Sequence, residues 1–294
     1  MTAGPEDAGR PPGEGASTHR DVAAEDGAGR KRAEHRPASF ADAVAAEWIK
    51  IRTVRSTFWT LLAGLVVTIG LSCLLAWVFV SAYDRLGARD RLRFDPTAYG
   101  LAGINFGMVA FGVLGVLVVT GEYATGMIRT SLTAVPRRGR LFAAKALVLG
   151  GVVLVVGEIV SFAAYFLSQL IFADRHLDAG LGEDGVLRAV IGGGLYLTLI
   201  ALLALAIGTL LRHTAGAVTT VLGLLFVLPI IGSFLPGDLG RTVRKVLPAG
   251  AGGAIMNTRP SEESLSPWAG LGVFTLYTVV LLVAALLAFQ RRDA

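Results

Sequence analysis

Six long apolar blocks, separated by shorter polar segments, make up most of the chain. They cover residues 58–82, 101–121, 146–171, 189–211, 215–235 and 268–289. Each block is long enough, at about 1.5 Å per residue in a helix, to cross the roughly 30 Å hydrocarbon core of a bilayer. The fourth and fifth blocks are separated only by Arg212, His213 and Thr214, which predicts an antiparallel hairpin. The pattern predicts an all-α membrane protein with six transmembrane helices.

A different periodicity precedes the first block, over residues 39–56. Apolar side chains recur here every three or four positions, which is typical of an amphipathic helix lying at a membrane interface. Ser39 and Asp42 have the spacing of a capping box at its start, and three basic residues follow at its end. The stripe consists of Phe40, Val44, Trp48, Ile51, Val54 and Phe58, and the basic residues are Lys50, Arg52 and Arg55.

Glu47 projects close to the apolar stripe of this helix. A carboxylate in that position is unfavourable on a face that lies in lipid, and it fits better on a face that packs against protein. The alternative is a solvated charge paired with Lys50 one turn later. The sequence leaves both interpretations open.

Composition separates the N-terminal tail from the rest of the chain. Residues 1–38 contain almost no large apolar side chains, so we expect a disordered cytoplasmic tail without a cleaved secretory signal. Residues 57–294 form the predicted six-helix domain. The chain is 53% hydrophobic with a net charge of +5, and its basic residues flank apolar blocks. This distribution favours membrane lipid as a partner and argues against nucleic acid.

The basic residues also bear on orientation, although their total decides nothing. With the tail inside, eleven lie on the inner side and ten on the outer side. The basic flank of the first block and the unmixed cluster Arg137, Arg138 and Arg140 favour a cytoplasmic location for both termini in the plasma membrane. The three arginines could bind either lipid headgroups or a soluble partner.

A short amphipathic segment, residues 125–135, lies between the second and third blocks. Met127, Ile128 and Ser131 share one face, whereas Arg129 and Thr133 lie on the opposite one. This spacing predicts a short helix along the cytoplasmic surface, ended by Pro136, that exposes charge to a soluble partner.

Other features within the blocks concern packing and bending. Pro229 predicts a kink in the fifth helix. The run 192–194 consists of three glycines, which could form a hinge or could allow close helix packing. In the connection after the fifth block, residues 238–247 predict a short helix that Pro248 ends, in a segment that could fold back onto the outer mouth.

Two polar residues within the blocks are candidates for function. Glu158 lies near the middle of the third block, where an ionised side chain costs roughly 2.5–3.5 kcal/mol, so it should face protein or water. It could be functional, or it could form a hydrogen bond with Ser161 or another helix and only fix packing. Asn105, together with Gln169, is expected to join helices by hydrogen bonds.

Motifs for catalysis are absent from the sequence. The four lysines, Lys31, Lys50, Lys145 and Lys245, complete no phosphate-binding loop, and no H-E-x-x-H or G-x-S-x-G occurs. The single cysteine, Cys73, lies within an apolar block. We therefore expect no enzyme activity, no metal site and no directly bound cofactor.

The order of several short motifs resembles the permease subunits of ABC-2 type ABC transporters, particularly actinobacterial ones. The resemblance extends over about residues 40–294. It rests on residues 47–50 before the first block and on positions between the second and third blocks, namely Glu122, Tyr123, Gly126, Ile128, Arg129, Pro136, Arg140 and Lys145. Met127 stands where that pattern has threonine.

The resemblance implies an ATP-driven exporter built from two permease copies and two separate ATP-binding subunits. ATP and magnesium would be bound by those partners, and the permease would be a homodimer. Residues 39–55 would be the connecting helix, with Glu47, Trp48, Lys50 and Arg52. Residues 125–135 would be the coupling helix, and the coupling residues would be Glu122, Tyr123, Gly126, Ile128, Arg129, Thr133, Pro136 and Arg140.

Two other functions remain as alternatives. A secondary transporter driven by an ion gradient would use Glu158 as its proton site. A membrane-embedded hydrolase would need a cluster of nucleophile, base or metal ligands, for which the sequence offers no motif.

Overall fold

The structure, a computed structural model, describes residues 39–134, 137–259 and 264–291, without the side chains of Arg93, Arg129 and residues 132–134. The predicted tail, residues 1–38, lies outside the described residues. The α-helices are α1 Phe40–Thr53, α2 Arg55–Ala82, α3 Ala88–Arg93, α4 Pro96–Gly100, α5 Ile104–Ala124, α6 Met127–Ala134, α7 Arg138–Ala173, α8 Val186–Leu211, α9 Thr214–Leu222, α10 Leu228–Phe234, α11 Gly237–Val246, α12 Pro248–Gly253 and α13 Pro267–Arg291.

Six helical segments of the described chain are long and apolar enough to cross a membrane, which confirms the predicted all-α membrane fold. They are Arg55–Arg85, Ile104–Ala124, Arg138–Ala173, Val186–Leu211, Thr214–Phe234 and Pro267–Arg291. The largest difference from the prediction is in the third segment, which begins at Arg138 rather than at residue 146. Its first two turns therefore carry arginines and Lys145 on a helix that continues directly into the apolar block.

Helix α8 forms the centre of the bundle. In the most apolar 18-residue stretch of this helix, 72% is buried inside the protein. The corresponding share is 17–33% for the first, third, fifth and sixth segments. Small residues allow this close packing. An added Cβ at Gly192 would meet Ile255, and one at Gly194 would meet Glu158. Since α8 is continuous through the three glycines, their role here is packing.

The fifth membrane segment changes its helical pitch before its proline. A π-helical turn, Gly223–Val227, separates α9 from α10, which contains Pro229 in its first turn. Proline has no N–H to donate to the preceding turn, and a π turn is one way in which a helix accommodates the missing bond. The hydrogen-bonding pattern of the helix is therefore irregular just before Pro229, and the kink itself stays a prediction.

The connection after the fifth segment packs back into the bundle. It continues from α12 into a 3-10 turn, Ala254–Met256. Ile255 is fully buried and lies against Gly192 of α8, while Gly252 lies against Tyr196 and Phe274. The segment therefore fills the space between α8 and α13 at the end predicted to be outside.

Helix α1 buries its charged face against the rest of the protein and leaves much of its apolar stripe exposed, although Val44 of the stripe packs against a buried apolar group. Ser39 and Asp42 form the expected capping box. Ala43 and Glu47 are buried, with exposed fractions of 0% and 1%, whereas Phe40 and Trp48 are 41% and 46% exposed. The interpretation of Glu47 as a solvated charge is therefore wrong. Its carboxylate packs against protein, which is the other interpretation that the sequence left open.

A buried cluster of four charges as the candidate functional site

Four helices converge where α5 ends and α7 begins. Glu47 and Lys50 come from α1, where their spacing places both side chains on one face. Glu122 lies in the last turn of α5, and Lys145 lies about two turns into α7. Ser131 of α6 completes the set. Segments that are distant in sequence therefore meet at one point.

The ion pairs alternate between the two lysines and the two glutamates. Lys50 Nζ lies 2.7 Å from Glu47 Oε1 and 2.8 Å from Glu122 Oε1. Lys145 Nζ lies 2.7 Å from Glu47 Oε2 and 2.8 Å from the same Glu122 Oε1. Lys50 also donates a hydrogen bond to Ser131 Oγ over 3.0 Å. We call these five residues the charge cluster.

Three members of the charge cluster are almost completely removed from solvent. The residues Glu47, Glu122 and Lys145 are 1%, 4% and 3% exposed, and the side chain of Lys50 is 24% exposed. Burial alone lowers the pKa of Lys50, but its hydrogen bonds with Glu122 and Glu47 outweigh burial, so its pKa lies above its ordinary value. With both lysines and both glutamates ionised, the cluster has no net charge.

A cluster of this kind fixes the relative positions of the helices that contribute to it. Separating a buried ion pair leaves an uncompensated charge in a medium of low polarity, which costs several kcal/mol. Helices α1, α5 and α7 are therefore expected to move as one unit. The bond from Lys50 to Ser131 connects α6 to this unit.

An apolar contact provides a second connection for α6. Ile128 is 3% exposed and belongs to a buried apolar group with Leu141, Phe142 and Phe289. Gly126 precedes α6 with a φ of +71°, a conformation that glycine adopts without the strain that other residues incur. The chain can therefore turn sharply from α5 into α6. Tyr123 lies beside this turn, with the Arg212 guanidinium 5.1 Å from its ring centroid.

The structure separates the predicted site residues into two groups. It brings together Glu47, Lys50 and Glu122, and it places the side chains of Trp48 and Arg52 on the exposed side of α1, with the Arg52 guanidinium 5.9 Å from the Trp48 ring centroid. Arg140 is half-buried near the start of α7, outside the charge cluster.

Three predicted coupling positions fall wholly or partly outside the described part of the chain. Pro136 and the side chains of Arg129 and Thr133 lie outside the described residues. Their predicted roles remain predictions.

Two members of the charge cluster were not among the predicted site residues. The motif pattern includes Lys145 without a role for it. The spacing of the short helix places Ser131 on one of its faces and indicates no contact. The available signal for Lys145 was its location at the edge of an apolar block, where a charge requires a partner. No local feature of the sequence indicates Ser131.

The two polar candidates within the membrane segments differ from each other. Glu158 packs against the backbone of Gly194, and its Oε2 is buried without a hydrogen-bond partner among the described residues. Ser161 donates to Val190 O over 2.6 Å, so among the described residues the structure does not form the bond between Ser161 and Glu158 that the sequence left open as one possibility.

Asn105 does not join helices through a described hydrogen bond, contrary to the prediction. Its amide donates to Ala102 O, three residues earlier in the same segment, and the residue is exposed. Its position in the first turn of α5 allows this local bond. Gln169 does join separate segments, because it donates to Pro96 O and accepts from the Ala179 N–H.

Comparison with known families agrees with the resemblance found in the motifs. A family model described as ABC-2 family transporter protein matches residues 43–233, which include four of the six membrane segments, all of the fifth except Phe234, and the whole charge cluster. The comparison with curated proteins gives no match. The family match covers most of the chain, and we conclude that this protein belongs to the ABC-2 transporter family and is a multi-pass membrane permease subunit of an ABC transporter.

Proposed function

We propose that this permease is the membrane part of an ATP-driven exporter and that a separate ATP-binding subunit acts on it through α6. The observation that supports this proposal is the double connection of α6. Ser131 bonds to the charge cluster and Ile128 packs into the buried apolar group. A force on this short helix would therefore reach α1, α5 and α7 together.

In the proposed mechanism, closure of the ATP-binding subunits displaces α6. The charge cluster resists separation because three of its charged residues are nearly fully buried, so the displacement moves the ends of the attached helices. The permease then shifts between conformations that open to opposite sides of the membrane. The sequence contains no phosphate-binding loop, so in this proposal ATP and magnesium are bound by the partner.

The proposed assembly has two permease copies in the plasma membrane, with both chain termini in the cytoplasm. The basic flank at the end of α1 and the arginines at the start of α7 support this orientation. It places α6 and the charge cluster at the cytoplasmic surface, where a soluble ATP-binding subunit can reach them.

Site-directed crosslinking tests the contact with α6. In a Cys73→Ser background, Met127→Cys introduces a thiol at a residue that is 38% exposed in the first turn of α6. It should crosslink to an ATP-binding subunit co-expressed from a neighbouring reading frame. Leu92→Cys is the matched control, because Leu92 is 79% exposed on α3, at the opposite end of the bundle.

The outcome is decisive for the proposed coupling. Crosslinking at position 127 and not at position 92, with co-purification of the ATP-binding subunit, is expected. Labelling of Arg137→Cys only from outside the cell, or equal crosslinking at both positions, would contradict the proposed arrangement.

A second candidate function rests on Glu158. A carboxylate within the membrane that lacks a described partner could bind a proton and couple transport to an ion gradient. Vesicles with an imposed proton gradient and no ATP should then accumulate cargo, and Glu158→Gln should abolish that accumulation. Transport that requires ATP and survives this substitution would exclude the second candidate.

A further inference from the structure

One acidic side chain lies deep within the membrane segments. Glu158 is the only Asp, Glu, Lys, Arg or His in the six apolar blocks of the sequence. Lys145 and Asp174 are the nearest charged residues along α7 in the two directions, and they lie about 20 Å and about 24 Å from Glu158 at 1.5 Å per residue. Both distances exceed the reach of an ion pair, so α7 itself provides no charged partner for Glu158.

A glycine of α8 provides the space for the Glu158 carboxylate. A Cβ added at Gly194 would lie 2.6 Å from Glu158 Oε1, so the carboxylate occupies the space that a side chain at position 194 would fill. Glu158 Oε2 is buried without a hydrogen-bond partner among the described residues. Oε1 also accepts no hydrogen bond from those residues, but it is not enclosed, and Glu158 as a whole is only half-buried. The carboxylate is therefore held in place without a partner, and Oε1 stays accessible.

The side of α7 that carries Glu158 is apolar and open. Val155, one turn before Glu158, is 60% exposed. Gly151 lies one turn further back, and an added Cβ there meets nothing within 4 Å. Phe162 is half-buried one turn after Glu158, and its ring centroid lies 6.3 Å from that of Phe166, which is 49% exposed. Residues spaced by three or four positions share a helix face, so the carboxylate is bordered by apolar and aromatic side chains.

These surroundings determine which ligand fits. An anion would be repelled by the carboxylate, and a neutral ligand would leave its charge uncompensated in a medium of low polarity. A cation would neutralise it, and a cation whose charge is shielded by apolar groups loses less hydration on entering the bilayer than a small ammonium ion does. Aromatic rings also attract cations to their faces.

We propose that Glu158 and Phe162 form a binding site for a lipophilic organic cation on the outward-facing side of α7. The cation pairs with the Glu158 carboxylate, and its apolar groups lie against Val155 and the open surface at Gly151. It reaches the site laterally from the bilayer, because Glu158 lies near the middle of its membrane segment. The site does not depend on coupling through α6, and it differs from the second candidate function, in which Glu158 binds a proton.

Two ions of nearly the same size and shape but opposite charge test the proposal. The probes are tetraphenylphosphonium, a lipophilic cation, and tetraphenylborate, the corresponding anion. Equilibrium dialysis of the full chain in lipid nanodiscs at neutral pH, corrected with nanodiscs that lack protein, measures specific binding. Tetraphenylphosphonium should bind saturably, whereas tetraphenylborate should show no saturable binding beyond that of the lipid.

Three substitutions locate the binding. Glu158→Gln replaces the carboxylate by an uncharged amide of the same size and should weaken tetraphenylphosphonium binding at least about tenfold. Circular dichroism checks that its helicity is unchanged. Glu183→Gln is the matched control, because it removes the same charge from an exposed residue between α7 and α8, and it should leave binding unchanged. Phe162→Leu should weaken binding about two- to fivefold by removing the aromatic ring.

The proposal makes three demands that can fail. Equal tetraphenylphosphonium binding by the natural chain and by Glu158→Gln would show that no ion pair forms, as would be the case if Glu158 stayed protonated. Equally tight saturable binding of tetraphenylborate would assign the binding to apolar contacts alone. An equal loss in Glu183→Gln would attribute the effect to net charge and not to this site. The assay contains neither ATP nor an ATP-binding subunit, so its failure would leave the proposed coupling through α6 intact.

Discussion

Replacing Lys145 by methionine would test whether the charge cluster holds the helices together. Methionine preserves most of the length and the apolar stem of lysine but removes the ammonium group. That group bonds to Glu47 Oε2 over 2.7 Å and to Glu122 Oε1 over 2.8 Å. After the substitution, Lys50 is left as the single cation of the cluster, facing two buried carboxylates.

The expected loss of stability follows from the burial of all three groups. The side chains of Lys145, Glu47 and Glu122 are 3%, 2% and 5% exposed. Removing one partner from a buried ion pair typically costs about 3–5 kcal/mol. Adding Glu47→Gln to Lys145→Met restores the balance of charges, with Lys50 and Glu122 remaining. The double variant should therefore lose less than the sum of the single variants, by about 0.5–3 kcal/mol.

Unfolding by sodium dodecyl sulfate in mixed micelles, followed by circular dichroism, would measure these differences. Arg175→Met is the matched control, because Arg175 and Asp84 form an ion pair of 2.9 Å whose side chains are 44% and 69% exposed. Its loss should cost only about 0.2–1 kcal/mol. Equal losses for Lys145→Met and Arg175→Met, or strict additivity in the double variant, would refute the argument from burial.

Three further predictions concern packing, backbone conformation and pH. Gly194→Ala should destabilise the fold by about 1–3 kcal/mol, because its Cβ would lie 2.8 Å from the Glu158 backbone nitrogen. Gly272→Ala is the matched control, because its added Cβ meets nothing within 4 Å. The midpoint of thermal unfolding should fall in Gly194→Ala and should not fall in Gly272→Ala. Gly126→Ala should cost about 1–2 kcal/mol in the same thermal assay, since φ is +71° there. The raised pKa of Lys50 adds stability that is fully present below its unfolded value of 10.5 and is lost as pH rises through the higher folded value. The stability difference between the natural chain and Lys50→Met should therefore shrink above about pH 10.5, whereas a constant difference would contradict this prediction.

The membrane segments could be predicted from the sequence because each one is a block of sufficient length and hydropathy. Their ends were less predictable. A helix does not have to stop at the edge of the hydrocarbon, and α7 continues outward through Lys145 to Arg138. Long basic side chains tolerate that position because they can reach polar surroundings from an apolar helix.

The burial of each helix could not be predicted in the same way. In lipid, an apolar side chain is equally suited to the bundle interior and to its outer surface, so hydropathy does not distinguish α8 from α13. The three glycines at 192–194 indicated close packing but did not identify the neighbour. Only the structure shows that Ile255 and Glu158 occupy those contacts.

The charge cluster was predictable only where it is local. The pairing of Glu47 with Lys50 follows from their spacing on one helix. The contacts with Glu122 and Lys145 connect positions 72 and 98 residues apart, and no periodicity encodes them. Each of those charges adjoins an apolar block, however, and the high cost of an unpaired charge there implied that each needed a partner.

The orientation of α1 connects the cluster to the membrane. In a soluble protein, the apolar stripe of an amphipathic helix would face the core and its charges would face water. Here Ala43, Glu47 and Lys50 face the protein, while Phe40 and Trp48 are exposed. This arrangement is favourable only if the surroundings of the stripe are apolar. Leaving the stripe in water would lose the burial free energy of about 25 cal/mol for each Å² of apolar surface. In the proposed arrangement α1 would be held from two sides, by lipid at its apolar stripe and by the charge cluster at its polar face, and it would follow a movement of α6 without leaving the membrane surface.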